Sequence, residues 1–169
     1  MSLSIYDVGN WTAQTTYNKY DVYRYNGFYY TSIQKHNSGS TFNPDYSDGV
    51  ISYNGVNKPY FFFKPSYNVN INIKPNIKVV QFGDGFRQIS PNGLNSILLP
   101  IDLTFDKRTD AEARAILHFL TEKGGSKSFI FIPPFPYNVS KIFTCEEFNH
   151  VQVFANNHTI QAKFIESVV

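Results

Sequence analysis

One cysteine, one methionine and one tryptophan in 169 residues leave little material for several kinds of chemistry. Cys145 alone cannot close an intrachain disulfide or supply a thiolate metal cluster, so the chain neither requires an oxidising compartment nor excludes one. Charge of either sign is scarce. Fifteen Lys+Arg against 13 Asp+Glu give a formal net charge of +2, too small an excess to act as an electrostatic footprint for nucleic acid. Long apolar runs are missing too, since none approaches the roughly 18 residues a membrane helix needs. The opening stretch MSLSIYDVGNW has neither a basic patch nor an apolar core, and the expectation is a chain neither exported by a standard signal nor inserted in a membrane.

Aromatic residues are abundant, at 17% of the chain, with 16 Phe and 12 Tyr. Phenylalanine and tyrosine bury large areas and suit pleated strands, and tyrosine also serves at interfaces. The composition therefore favours a mainly β protein with a bias toward assembly.

Three textures succeed one another. Residues 1–45 form a small aromatic-rich β module, in which Asn26-Gly27 between DVYRY and FYYTSI is a strong hairpin signal over Asp21–Ile33. Residues 46–76 read as a connector with short strands, punctuated by Asp48-Gly49, Asn54-Gly55, Pro59, Pro65 and Pro75. Val69, Ile71 and Ile73 alternate there with Asn70 and Asn72. Residues 77–169 have the texture of a packed β domain. IKVVQF predicts a strand and FGDGF a turn; SILLPIDLTF predicts a long strand with Leu99, Ile101, Leu103 and Phe105 on one face, Pro100 marking an edge or a bulge. Thr109 and Glu112 make a capping box, Ala113, Ile116, Leu117 and Leu120 recur at helical spacing, and Gly124-Gly125 ends the helix. KSFIFI, SKIFTCEEF, VQVFA and TIQAKFIESV predict further strands, the last two joined at Asn156-Asn157.

No catalytic, cofactor or metal site emerges. The four histidines are scattered, and only His150 and His158 fall on adjacent strands, where they read as surface residues. Cys145 with Glu146, Glu147 and His150 could compose a nucleophilic trio, but a thiol on a predicted strand is more often a small core filler. Glu146 and Glu147 are strand neighbours expected on opposite faces, and Asp102 and Asp106 share a face without any groove between them. FGDGF lacks phosphate-loop and calcium-loop spacing and reads as a tight turn. Trp11, Tyr17, Tyr25, Tyr29 and Tyr30 suit either the core of a very small domain or a glycan or interface platform.

VVQFGDGFRQISPNGLNS, followed by a capped helix and FLTEKGGSKSFIFIPPFPYNVSKIFTCEEF, resembles the minor tail proteins of lambda-like phages, the tail protein M family. The signature turn falls on Phe82, Gly83, Asp84, Gly85, Phe86 and Arg87, continuing through Gln88, Pro91, Gly93, Leu94 and Asn95. Phe119, Leu120, Gly124, Gly125, Lys127, Ser128, Phe129, Pro133 and Pro134 carry the rest. The resemblance implies a tail-tube-like antiparallel β-sandwich or barrel with one packed α-helix, six copies forming a ring at the tail tip. It further implies a structural, non-enzymatic role in the virion, with assembly in the host cytoplasm. The implied partners are the tail tube protein, the tape-measure protein and tip or hub proteins, with DNA passing transiently through the lumen and no cofactor. Tyr60, Phe61, Phe62 and Phe63 would suit a subunit interface in such a ring.

The segment WTAQTTYNKYDVYRYNGFYYTSIQKHNSG also resembles the small carbohydrate-binding modules attached to chitinases, on Trp11, Tyr17, Asp21, Tyr25, Gly27, Tyr30, His36 and Ser38. It departs from that pattern at Tyr20, where glycine is usual. This second resemblance implies surface-glycan binding in host attachment as the alternative function.

Overall fold

The computed structural model describes residues 8–47, 50–53 and 56–168; the turns expected at Asp48-Gly49 and Asn54-Gly55 lie outside the described residues. In chain order the elements are β1 (Thr16–Tyr17), β2 (Val22–Tyr25), β3 (Phe28–Thr31), β4 (His36–Asn37), a 3₁₀ turn (Pro44–Tyr46), β5 (Val50–Tyr53), β6 (Val56–Pro59) and β7 (Asn70–Ile71). Then come β8 (Ile77–Gln81), β9 (Arg87–Pro91), β10 (Pro100–Arg108), α1 (Asp110–Lys123), β11 (Phe129–Phe131), β12 (Lys141–Phe154) and β13 (Asn157–Glu166). The protein is mainly β with one packed helix.

A five-stranded antiparallel sheet in the order β11-β12-β13-β10-β7 carries the core. Register explains why. Ile101 lies opposite Phe164, Leu103 opposite Ala162 and Phe105 opposite Ile160, so the buried sets of β10 and β13 share one face. Pro100 opens β10, where its missing N–H costs least, and the irregularity comes later, between Phe105 and Arg108, with Lys107 at φ 56°.

Helix α1 covers that face with Ala113, Ala115, Ile116, Phe119 and Leu120. Thr109 caps it by accepting from the Glu112 N–H at 3.4 Å, and Gly124 ends it in the left-handed conformation, φ 55°. Only half of the expected reciprocal box forms, because the Glu112 carboxylate turns instead to Arg108 at 2.8 Å.

Three expectations are revised. IFTCEEF and VQVFA are one strand, β12, and a bulge between Cys145 and Glu147 interrupts its alternation; Glu146 and Glu147 are both exposed rather than divided between faces. Two residues of the connector's aromatic run, Phe61 and Phe63, belong to the core, while Tyr60 and Phe62 are only partly buried. Phe61, 1% exposed, has ring neighbours Phe63, Phe105, Phe119, Phe129, Phe131 and Phe164 at 5.1–5.8 Å, so neither it nor buried Phe63 can meet another subunit. Lastly, residues 77–91 are not packed into the domain. Among the described residues, strands β8 and β9 pair only with each other.

The N-terminal module consists of the β2–β3 hairpin and the β1–β4 pair. Asn26 (φ 48°) and Gly27 (φ 83°) both take the positive φ that a two-residue hairpin turn demands. Buried Ser38 accepts from the Thr15 N–H and donates to the Thr12 carbonyl, clamping the loop before β1. Tyr20 sits at φ 74°, strained for a side chain of this size, and its ring stacks on Phe62 and Phe63. Tyr29 meets His118 of α1 edge-on at 4.8 Å, a second tie between module and sheet domain.

Candidate functional site

The signature turn lies at the tip of the β8–β9 arm. Gln81 pairs with Arg87, and the Phe82 N–H donates to the Phe86 carbonyl at 2.8 Å, leaving Gly83, Asp84 and Gly85 as a three-residue loop. Gly85, at φ 78°, supplies the left-handed residue that such loops need, and a Cβ there would meet nothing within 4 Å. The strain, not crowding, selects glycine.

Both faces of the arm are open, one largely aliphatic and the other apolar chiefly at its tip. Cross-strand partners share a face, so Ile77, Val79, Ile89 and Pro91 line one side, with Gln81 and Arg87 toward the tip, while Val80 and the tip residues Phe82 and Phe86 share the other with Lys78, Gln88 and Ser90. Val79 is 48% exposed, Ile89 51% and Phe86 72%. Leu94 and Ile97, beyond the arm, are exposed as well. A lone two-stranded hairpin is marginal in water, and contiguous exposed apolar surface of this kind marks an interaction site.

An apolar cleft of about 840 Å³ opens elsewhere, between the connector residues 60–69 and the Phe131–Phe135 segment. Phe62, Tyr67, Pro133, Pro134 and Phe135 contribute to its walls, and Lys64 and Arg108 are its charged lining residues. Tyr67 and Phe135 stand almost fully exposed at its edge. Arg108 is held by Glu112 and by the Lys64 carbonyl, at 2.8 Å each.

Of the two histidines expected on the surface, His150 is exposed and His158 is buried, and the two belong to a chain of hydrogen bonds. His150 Nε2 lies 2.8 Å from His158 Nδ1, and His158 Nε2 lies 2.6 Å from the Asp110 carboxylate in the first turn of α1. Both ring nitrogens of His158 are occupied, so it holds the end of β13 to the helix start. Strand spacing alone placed the two histidines near each other; the link to Asp110, 48 residues away, had no local signal. No group of three or more His, Cys, Asp or Glu that could hold a metal ion occurs among the described residues.

Cys145 is buried, its thiol donates to the Glu147 carbonyl at 3.4 Å, and desolvation pushes the thiol up to about 12. A thiol held protonated is a poor nucleophile. The carboxylates once paired with it stay at the exposed bulge.

The N-terminal aromatics pack largely on one another. Tyr25 stacks on Phe42 at 4.2 Å, Trp11 presents an edge contact to both, Tyr30 tilts against Phe42, and Tyr17 lies 4.6 Å from buried Tyr23. His36 stacks between Tyr17 and Tyr46.

The family model for phage minor tail proteins matches residues 59–168, a span that contains the arm, the cleft and the five-stranded sheet, and the chain belongs to that family. Tail tip protein M of Escherichia phage lambda is 34% identical over 89 residues, covering 53% of this chain and 80% of the lambda protein. Tail tip protein M of Escherichia phage N15 is 36% identical over 62 residues, 37% of this chain and about half, 52%, of the N15 protein. Among solved structures, the tail of an empty GTA particle, determined with helical refinement and C6 symmetry, aligns over 62% of this chain and 79% of that chain. It does so at 13% identity and a TM-score of 0.45. The chain is thus a structural phage tail protein related to tail tip protein M, and not an enzyme. The module of β1–β4 lies outside the matched residues.

Proposed function

We propose that the chain is a subunit of a ring at the tail tip, built from six copies, which joins the tail tube to the tip proteins and leaves a channel for DNA. The observation that carries this reading is the β8–β9 arm, which exposes Ile77, Val79, Ile89, Phe82 and Phe86 and has no partner sheet among the described residues. A subunit that holds such an element in the open stabilises it by contact with neighbours, and a head-to-tail contact closes into a ring when its rotation does. The tail tube protein, the tape-measure protein and tip or hub proteins are the expected axial partners, met in the virion and, during assembly, in the host cytoplasm. The small net charge suits a lumen through which DNA slides without adhering.

Glycan binding by the N-terminal module has less support, because Trp11, Tyr25 and Tyr30 spend much of their ring surface on Phe42. Light scattering after size exclusion, over a range of concentrations, tests the ring. The expected mass is six times 19.4 kDa. A strict monomer at every concentration rejects self-assembly.

A further inference from the structure

The arm tip and the cleft are chemically complementary. At the tip, Phe82 and Phe86 are cross-strand neighbours on one face, flanking Asp84, the only charged residue between Lys78 and Arg87. The cleft offers aromatic and proline walls, with Lys64 and Arg108 as its charged lining. Arg108 is already neutralised by Glu112, whereas Lys64 is exposed and forms no ion pair among the described residues. The cleft's volume lies within the roughly 300–1,000 Å³ range of sites that enclose a ligand, ample for two phenyl rings and a short loop. Because Phe82 and Phe86 stand exposed, the tip does not fill the cleft of its own chain.

We infer that the tip of one copy, Phe82–Phe86, seats in the cleft of the next. Its phenyl rings lie against Phe62, Pro133, Pro134 and Phe135, and the Asp84 carboxylate faces the Lys64 ammonium. The occupant is a second copy of this chain, because the same polypeptide carries an unpartnered apolar tip with one negative charge and an apolar receptor with one uncompensated positive charge. Two different patches meeting head to tail make a heterologous contact, the geometry a ring requires. The inference rests on the self-assembly reading and names the parts that touch.

Cross-linking of the full-length protein tests it. Two variants, Asp84→Cys and Tyr67→Cys, are mixed and treated with a short bismaleimide, the buried native Cys145 being controlled by the unmodified chain. A cross-linked dimer is expected in the mixture and in neither variant alone, and it disappears when Phe82 and Phe86 are also changed to serine in the tip variant. Charge reversal gives a second readout. Asp84→Lys is expected to weaken self-association by about tenfold, and combining it with Lys64→Glu to restore it. A ring-sized mass without the mixed cross-link overturns the tip-in-cleft contact and leaves the ring standing. A strict monomer overturns both, and a cross-link in Asp84→Cys alone overturns the contact in favour of tip against tip.

Discussion

Strands β8 and β10 are built from similar residues and end in opposite environments. IKVVQ has three aliphatic residues in five positions, all exposed; PIDLTFDKR buries Ile101, Leu103 and Phe105 on one face and turns Asp102 and Asp106 outward. Apolar content makes both segments extended. What separates them is that β10 lies between β13 and β7 beneath a helix, while β8 has only β9. The first arrangement makes a stable body; the second leaves an exposed arm, the element we propose meets a neighbour.

The contrast is sharpest if the two regions are broken separately. Phe61→Ala removes the ring around which six core phenylalanines gather, and a loss of about 3–5 kcal/mol is expected in denaturant unfolding. Val79→Ser with Ile89→Ser on the arm should change stability by less than about 0.5 kcal/mol while abolishing the ring-sized species in light scattering. Equal effects of the two sets would show that the arm belongs to the folded body.

His158→Ala cuts the tie between the end of β13 and the start of α1, and about 1–3 kcal/mol is expected to be lost, since it leaves hydrogen-bonding groups unmatched. A smaller and pH-dependent effect belongs to His118, whose pKa burial holds below its ordinary 6.5; the Glu122 charge raises it in part and the Lys123 charge lowers it further. Below about pH 6.5 the unfolded chain therefore takes up a proton that the folded chain refuses. Stability falls with pH across that window, by at most about 1.4 kcal/mol per pH unit, until the folded-state pKa is reached. Melting curves of His118→Gln should show a flatter acid limb than those of the unmodified chain. Least conspicuous is Cys145, which should react with a maleimide in the native state far more slowly than after denaturation. Fast native labelling would mean that the core opens.

Much of the body was legible along the chain. The Asn26-Gly27 hairpin, the inward face of β10, the Thr109 cap and the Gly124 stop are local signals, each fixed by φ preferences or by period, and each stands where expected. Phe61 was misread as an interface residue because a run of four aromatics has no local address, and its alternation with Phe63 does not reveal which face will meet α1. The arm was misread in the opposite sense. Its residues satisfy every local rule for a packed strand, and only the absence of a covering element leaves them open. The bulge at Cys145 to Glu147 escaped notice because a one-residue slip is set by the partner strand's register.

By itself the sequence determined the mainly β character, the helix over 110–123 with its ends and, through the FGDGF stretch and its companions, a resemblance to a tail family. Those follow from backbone preferences and side-chain patterning over a few residues. Only the tertiary structure decided that Phe61 is interior, that His158 reaches Asp110, and that the signature turn stands on an exposed arm while a cationic aromatic cleft opens elsewhere. Burial depends on which distant segments come together, and no window along the chain contains that information.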